Sequence, residues 1–186
     1  MFKKYVILAL CTLTVGCQSM MNTDFFISNE QMIDMYPIGE NSGYLVARIG
    51  IEDANEVPGS VFLHMRHQEN SGLGAATEIR MFPNHDPLVV MRVRSGTYTW
   101  EDVDYMGYGY SMDLKGTEVQ VAPGSFNYIG DIYFSVQKKE SGRFFARMGG
   151  ADKSDVVEDQ IQKTFPVSSE KYPFLNQVSI PKPVGG

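Results

Sequence analysis

The sequence predicts an all-β domain of mainly antiparallel strands, with one helix near the C-terminus. From Tyr44 onward the pattern has a period of two, which is typical of strands. Its first members, Leu45, Ala47, Ile49 and Ile51, alternate with Tyr44, Val46, Arg48 and Gly50. Turn signals such as Pro58-Gly59 and Pro123-Gly124 separate these segments. Connections this short exclude parallel crossovers, which need about a dozen residues. The strands should therefore pack as a two-sheet sandwich or close into a barrel.

The alternation and the turn signals together define nine strands. Methionines recur at core-facing positions of these strands, where they are expected to fill space rather than bind copper. The predicted strands cover residues 44–51, 61–66, 77–82, 88–94, 97–105, 108–114, 117–122, 126–137 and 143–148.

The helix is predicted over residues 153–164. Ser154 or Asp155 is the expected N-cap, and Asp155-x-x-Glu158 has the spacing of a capping box. Pro166 should end the helix, and residues 172–186, rich in proline, should form an extended tail placed to cover an edge strand. The predicted buried stripe consists of Val156, Val157, Ile161 and Phe165.

The N-terminus has the organisation of an export signal. Lys3 and Lys4 precede an apolar run over residues 5–15, which is too short for a membrane-spanning helix of roughly 20 residues. The run ends in Thr14-Val15-Gly16-Cys17, which resembles the lipobox of bacterial lipoproteins, with Thr14 where that family usually has leucine. An ordinary secretory signal with an incidental cysteine is the alternative.

The lipobox resemblance implies cleavage after Gly16 and attachment of acyl chains such as palmitate to Cys17. Gln18 follows, and the absence of aspartate there implies forwarding to the outer membrane of a Gram-negative cell. The other cysteine, Cys11, lies inside the leader, so the mature chain can form no internal disulfide. The expected location is therefore the outer membrane, with the membrane itself as a partner through the lipid on Cys17.

Composition divides the chain into four parts. These are a signal peptide (1–16), a lipidated cysteine with its tether (17–41), a β-sandwich domain (42–150) and a C-terminal helix with an extended tail that pack on the domain (151–186). Part of the tether should dock on the domain, because residues 25–36 are rich in apolar side chains. The mature chain has a formal charge of about −8, which gives no overall attraction to nucleic acid.

A second resemblance concerns residues 121–132. There a Pro-Gly turn leads into an aromatic strand that contains Tyr128-Ile129-Gly130-Asp131. The segment resembles one found in small bacterial lipoproteins with prealbumin-like β-sandwiches. The resemblance implies a prealbumin-like or immunoglobulin-like sandwich rather than a barrel, and it supplies no catalytic residues.

The candidate binding surface is aromatic. Tyr105, Tyr108 and Tyr110 surround two glycines, and tyrosine combines flat apolar area with a polar tip, which suits a glycan or an envelope-protein partner. The alternative is an aromatic turn that packs over the end of the sandwich.

The remaining candidate residues are carboxylates and histidines. Glu101, Asp102 and Asp131 are the candidates for a cell-wall or glycan-processing hydrolase, which needs two carboxylates in one cleft. His64 and His85 are the candidates for a His/Met metal carrier, although His64 and His67 should point to opposite faces of a strand. The expectation is a non-enzymatic binding or envelope-assembly module without cofactor or metal.

Overall fold

A computed structural model describes residues 25–26, 38–52, 61–69, 76–81, 88–105, 108–111, 117–138 and 144–179. Each of the nine predicted strands has a counterpart, and two very short strands, β1 and β11, are added. The strands are β1 (Phe25–Phe26), β2 (Ser42–Glu52), β3 (Val61–His67), β4 (Ala76–Met81), β5 (Leu88–Arg94), β6 (Gly96–Tyr105), β7 (Tyr108–Ser111), β8 (Glu118–Val121), β9 (Phe126–Lys138), β10 (Phe144–Ala151) and β11 (Phe174–Asn176), and the helices are α1 (Ser154–Thr164) and α2 (Pro166–Lys171).

The strands form two sheets. Sheet A has the order β1-β5-β2-β9-β10, with β11 also on β9, and sheet B has the order β4-β3-β6-β7, with β8 also on β6. Most pairs are antiparallel, as predicted, but β2 and β11 both run parallel to β9. The argument from short connections does not apply to β2 and β9, because the chain passes through all of sheet B between them.

The two sheets pack face to face around one apolar core, so the architecture is a β-sandwich. Met65 and Met91 are buried in this core, as their strand positions predicted. The core consists of Leu45, Ala47, Ile49, Leu63, Met65, Val89, Met91, Val93, Tyr98, Trp100, Val119, Val121, Ile129, Ile132 and Phe134.

Sheet A is also buried on its other face, where the C-terminal helices cover it. This second cluster explains why residues 44–47 and 88–91 are buried without interruption, since a strand covered on both faces reads as a continuous apolar run. The molecule therefore has three layers: sheet B, sheet A and the helices. The second cluster consists of Tyr44, Val46, Leu88, Val90, Phe126, Tyr128, Val157, Ile161, Phe165 and Tyr172.

Helix α1 confirms the predicted element but corrects two details. Val156 is 48% exposed, so it does not belong to the buried stripe. Lys153 is the N-cap residue and makes no side-chain capping bond, so the predicted capping box does not form. Instead, Asp152 accepts the Ser154 N–H at 3.0 Å. Pro166 ends α1 as predicted and also begins a second helix, α2, which the sequence did not predict.

The tail after α2 runs along the edge of β9. Strand β11 pairs with the first residues of β9. The backbone N–H groups of Gln177 and Ser179 donate to the backbone carbonyls of Tyr128 and Ile129 at 2.8 and 3.1 Å, respectively. Trp100 of sheet B donates its Nε1–H to the carbonyl of Ser179 at 3.4 Å. The tail therefore bridges the two sheets at this edge of the sandwich.

Strand β1 lies within the predicted tether. Phe25 and Phe26 pair with Arg92 and Met91 of β5, which makes β1 the outer strand of sheet A. Cys17 and the leader lie outside the described residues. Within the described ranges, no helix is long and apolar enough to cross a membrane.

Candidate functional site

Strand β9 contains a β-bulge at residues 128–131, the segment with the lipoprotein resemblance. On β2, Val46 is opposite Tyr128 and Arg48 is opposite Asp131. Two steps along β2 therefore match three steps along β9, so β9 carries one extra residue. Gly130 allows this with a φ of +125°. Residues three apart on a regular strand point to opposite faces. The bulge is therefore what brings the Tyr128 and Asp131 side chains to the same face.

Asp131 forms the centre of a buried polar cluster on the face of sheet A that carries the helices. Its Oδ1 accepts the Tyr128 hydroxyl at 2.7 Å, and its Oδ2 accepts the Tyr133 hydroxyl at 2.9 Å. The guanidinium of Arg48 approaches Oδ2 at 3.4 Å. Asp131 is fully buried, so both carboxylate oxygens are satisfied inside the protein.

The cluster connects sheet A to the helical layer. The Tyr128 hydroxyl also accepts the backbone N–H of Lys153, the N-cap residue of α1, at 3.1 Å. Burial, followed by the hydrogen bond to Asp131, raises the pKa of Tyr128 above its ordinary value of 10.0. The neutral tyrosine is therefore the form that fits this site.

This arrangement does not offer a reacting carboxylate. Three donors hold Asp131, and no part of it is exposed. The Arg48 side chain is 29% exposed, and its buried Nε has no hydrogen-bond partner among the described residues. The geometry favours a structural role for the cluster, in which it fixes the start of α1 against β9.

Glu101 and Asp131, two of the predicted acidic candidates, lie on opposite outer faces of the sandwich. Glu101 forms an ion pair with Arg66, and this pairing raises the pKa of Arg66. Arg66 points away from the core, since Met65 and His67 on either side are buried. Asp131 lies on the outer face of sheet A, with both sheets between it and Glu101. The side chain of Asp102 lies outside the described residues.

The two described histidines, His64 and His67, lie on opposite faces of β3. His67 is only 3% exposed and donates Nε2–H to the carbonyl of Ser95 at 3.0 Å, whereas His64 is half-buried on the opposite face of β3. His85 lies outside the described residues. Over the described ranges, no group of three or more His, Cys, Asp or Glu residues could hold a metal ion.

The candidate tyrosines lie in the β6–β7 hairpin. Tyr105 pairs with Tyr108, and Val103 pairs with Tyr110. The same Val103 pairs with Leu63 of β3, which is fully buried in the core between the sheets. The side chains of the three tyrosines lie outside the described residues, so their binding role stays a prediction.

The corner between β8 and β9 contains a buried polar residue that sequence reasoning missed. The two N–H groups on Nδ2 of Asn127 are shared among the carbonyls of Tyr44, Ala122 and Ser125, and its Oδ1 accepts the Ala122 N–H at 2.9 Å. Gly43 packs directly against this corner, where a Cβ would lie 2.4 Å from the Ala122 carbonyl. Asn127 thereby joins the two sheets where the chain passes from one to the other.

The structure also forms an open polar groove of about 420 Å³ beside β8. One wall is the outer side of β8, the other is the end of β11 with the tail after it, and Asp152 also lines the groove. Its volume is within the range of small-ligand sites. The groove is lined by Glu118, Gln120, Asp152, Asn176, Gln177, Val178 and Ser179.

Hydrogen bonds fix most of the polar groups in this groove. Asp152 accepts Nδ2–H of Asn176 at 3.0 Å, which lowers the pKa of Asp152 together with the bond from Ser154. Gln120 exchanges hydrogen bonds with Thr97 at 2.9 and 3.1 Å. Sequence reasoning missed this groove because its lining comes from three separate segments, and none of them carries a motif.

Comparison of the chain with protein-family models and with curated proteins finds no match.

Proposed function

We propose that this protein is a lipid-anchored, non-enzymatic binding module of the bacterial outer membrane, and that the polar groove is its binding site. The anchor is supported by the sequence Thr14-Val15-Gly16-Cys17 behind a basic and apolar leader. Several buried acyl chains hold a protein firmly to a bilayer, since each methylene contributes about 0.8 kcal/mol. Gln18 supports the outer rather than the inner membrane.

The observation that carries the binding role is the groove beside β8. Its walls present carboxylate and amide groups, most of them held by hydrogen bonds, which suits a polar partner such as a peptide or a glycan. It also lies next to β11, at the edge of sheet A opposite β1. A chain tethered through residues before β1 would therefore present the groove away from its anchor.

The finer class of the sandwich belongs to the same proposal. We infer a prealbumin-like domain from the resemblance of residues 121–132, in which Tyr128-Ile129-Gly130-Asp131 is the shared sequence element. A hydrolase that uses these acidic residues has less support, because Glu101 forms an ion pair with Arg66 and Asp131 is fully buried.

The anchor is tested by labelling cells with radioactive palmitate. The wild-type chain and the Cys11→Ser variant should both carry label and fractionate with the outer membrane. The Cys17→Ser variant should lose the label and appear in the soluble fraction. Equal labelling of the Cys17→Ser and wild-type chains, or absence of label from both, would contradict the anchor.

The binding role is tested in the same cells with a photoreactive phenylalanine analogue. Placed at Gln177 in the groove, it should crosslink to a discrete envelope component, whereas the matched position Glu158, exposed on α1, should not. Identical adducts at both positions, or none at Gln177, would count against the groove as the binding site.

A further inference from the structure

We propose that the groove takes an extended peptide segment with a basic side chain, and that this segment adds as a strand to the outer edge of β8. The proposal rests on the proposed function and names the class of partner. It draws on three features of the described residues: the direction of the β8 backbone, the shape of the groove and the charge of its lining.

The backbone groups of β8 that face the groove follow from the register. The Gln68 N–H donates to the carbonyl of Thr97 at 2.8 Å, so the Thr97 backbone is directed toward β3 rather than β8. Thr97 pairs with Gln120, and Thr99 with Glu118. In an antiparallel pair of strands, hydrogen-bonded residue pairs alternate with pairs that are not hydrogen-bonded. Thr97–Gln120 and Thr99–Glu118 are the pairs without hydrogen bonds. The N–H and C=O groups of Glu118 and Gln120 are therefore directed outward, into the groove.

Among the described strands, β8 pairs only with β6, so its outer edge has no neighbouring strand. An edge of this kind is a template for an added strand. The opposite wall is also extended backbone, because the N–H groups of Gln177 and Ser179 bond to β9 on their far side. The groove is thus a slot between two extended segments.

The chain's own C-terminus is a poor occupant of this slot. Residues 180–186 follow the tail directly, but they contain Pro181 and Pro183, which have no N–H to donate to a ladder. Residues 180–186 therefore do not supply a regular strand to this edge, and we assign the slot to a strand from another chain.

The charge of the lining selects the partner. Glu118 and Asp152 are the charged residues of the groove lining, and both are acidic. Their hydrogen-bond partners, Gln68, Asn176 and Ser154, are neutral, and neither carboxylate forms an ion pair with a residue that the structure describes. A lysine or arginine on an added strand would pair with them.

The test uses the full-length Cys17→Ser chain and a fluorescent pool of decapeptides in which lysine alternates with random β-branched or aromatic residues. A second pool has every other amide N-methylated, which removes N–H donors without changing charge. We expect the first pool to bind at micromolar to millimolar concentration by fluorescence anisotropy, and the methylated pool to bind at least tenfold more weakly.

Two variants at one position separate the edge from the side chain. Gln120→Pro removes an N–H that is directed away from β6, so it should block strand addition while leaving the β6–β8 ladder intact. Gln120→Ala keeps the N–H and should bind within about threefold of the parent chain. Glu118→Gln should weaken binding of the lysine pool severalfold. Peptide binding should also slow hydrogen exchange of the Gln120 amide.

Equal binding of the two pools, or binding of neither at millimolar concentration, would overturn the proposal. If Gln120→Pro does not fold, the binding of the two peptide pools to the Cys17→Ser chain with an unsubstituted groove still tests the proposal. If the peptides fail while crosslinks at Gln177 persist, the proposed function stands and only the peptide class is wrong.

Discussion

At the scale of single residues, Gly130 determines where the buried carboxylate of β9 points. Without the extra residue in the bulge, Asp131 would face the core between the sheets, where the described cluster of side chains is apolar. With the bulge, it meets two tyrosine hydroxyls and Arg48. The sequence resemblance identified this segment, but it could not show that the segment is a bulge, because a register shift depends on the partner strand.

Tyr128→Phe should destabilise the protein by about 1–3 kcal/mol near neutral pH, because it removes a donor to buried Asp131 and an acceptor for the Lys153 N–H. The loss should shrink as the pH rises above 10. Tyr128 has a raised pKa in the folded state, so the unfolded chain ionises first and the stabilisation from the neutral hydroxyl fades.

Urea unfolding of both chains between pH 8 and pH 11 measures this difference. The gap between their free energies of unfolding should be largest at pH 8 and should narrow toward pH 11. A gap that stays constant across this range would show that the Tyr128 proton does not contribute to stability.

At the scale of elements, strands with a clear period-two pattern were predictable, whereas the shortest ones were not. Strands β1 and β11 have two and three residues, too few to show any period, and they exist because a neighbouring strand offers an edge. The cap of α1 was mispredicted for a similar reason. Asp152 is held in place by Asn176 of the distant tail, and it takes the N–H that a local capping residue would have bonded.

Helix α1 offers a matched pair of valines for testing how it packs. Val157 is fully buried against sheet A, and its neighbour Val156 is 48% exposed. Val157→Ala should lower the free energy of unfolding by about 2 kcal/mol, from lost methyl burial and the cavity that remains. Val156→Ala should change it by less than about 0.5 kcal/mol. Chemical denaturation measures both, and similar losses would mean that α1 does not dock through Val157.

At the scale of the whole molecule, the β-sandwich depends on the C-terminal layer. The sequence predicted a domain at 42–150 with the segment 151–186 packing on it. It did not predict which face this segment covers, because periodicity shows that a strand is buried but not what covers it. The fully apolar runs at 44–47 and 88–91 were the available signal. The groove could not be foreseen, since β8, Asp152 and the tail meet only once the three layers are assembled.

A chain that ends at Ala151 should therefore fail to fold, because it exposes the outer face of sheet A, including Tyr44, Val90 and Phe126. A chain that ends at Ser179 keeps both helices and β11 and should unfold cooperatively. Circular dichroism with thermal melting distinguishes the two. Cooperative melting of the shorter chain would show that the two sheets are stable by themselves.

The position of β1 sets a distance from the membrane. Cys17 and Phe25 are eight peptide steps apart, which span at most about 28 Å when fully extended. If Cys17 carries the lipid, the outer strand of sheet A can rise no further than this from the bilayer surface. Four strand spacings then separate β1 from β11 beside the groove, about 19 Å in all. Such a protein would therefore bind only partners that come within about 50 Å of the bilayer surface.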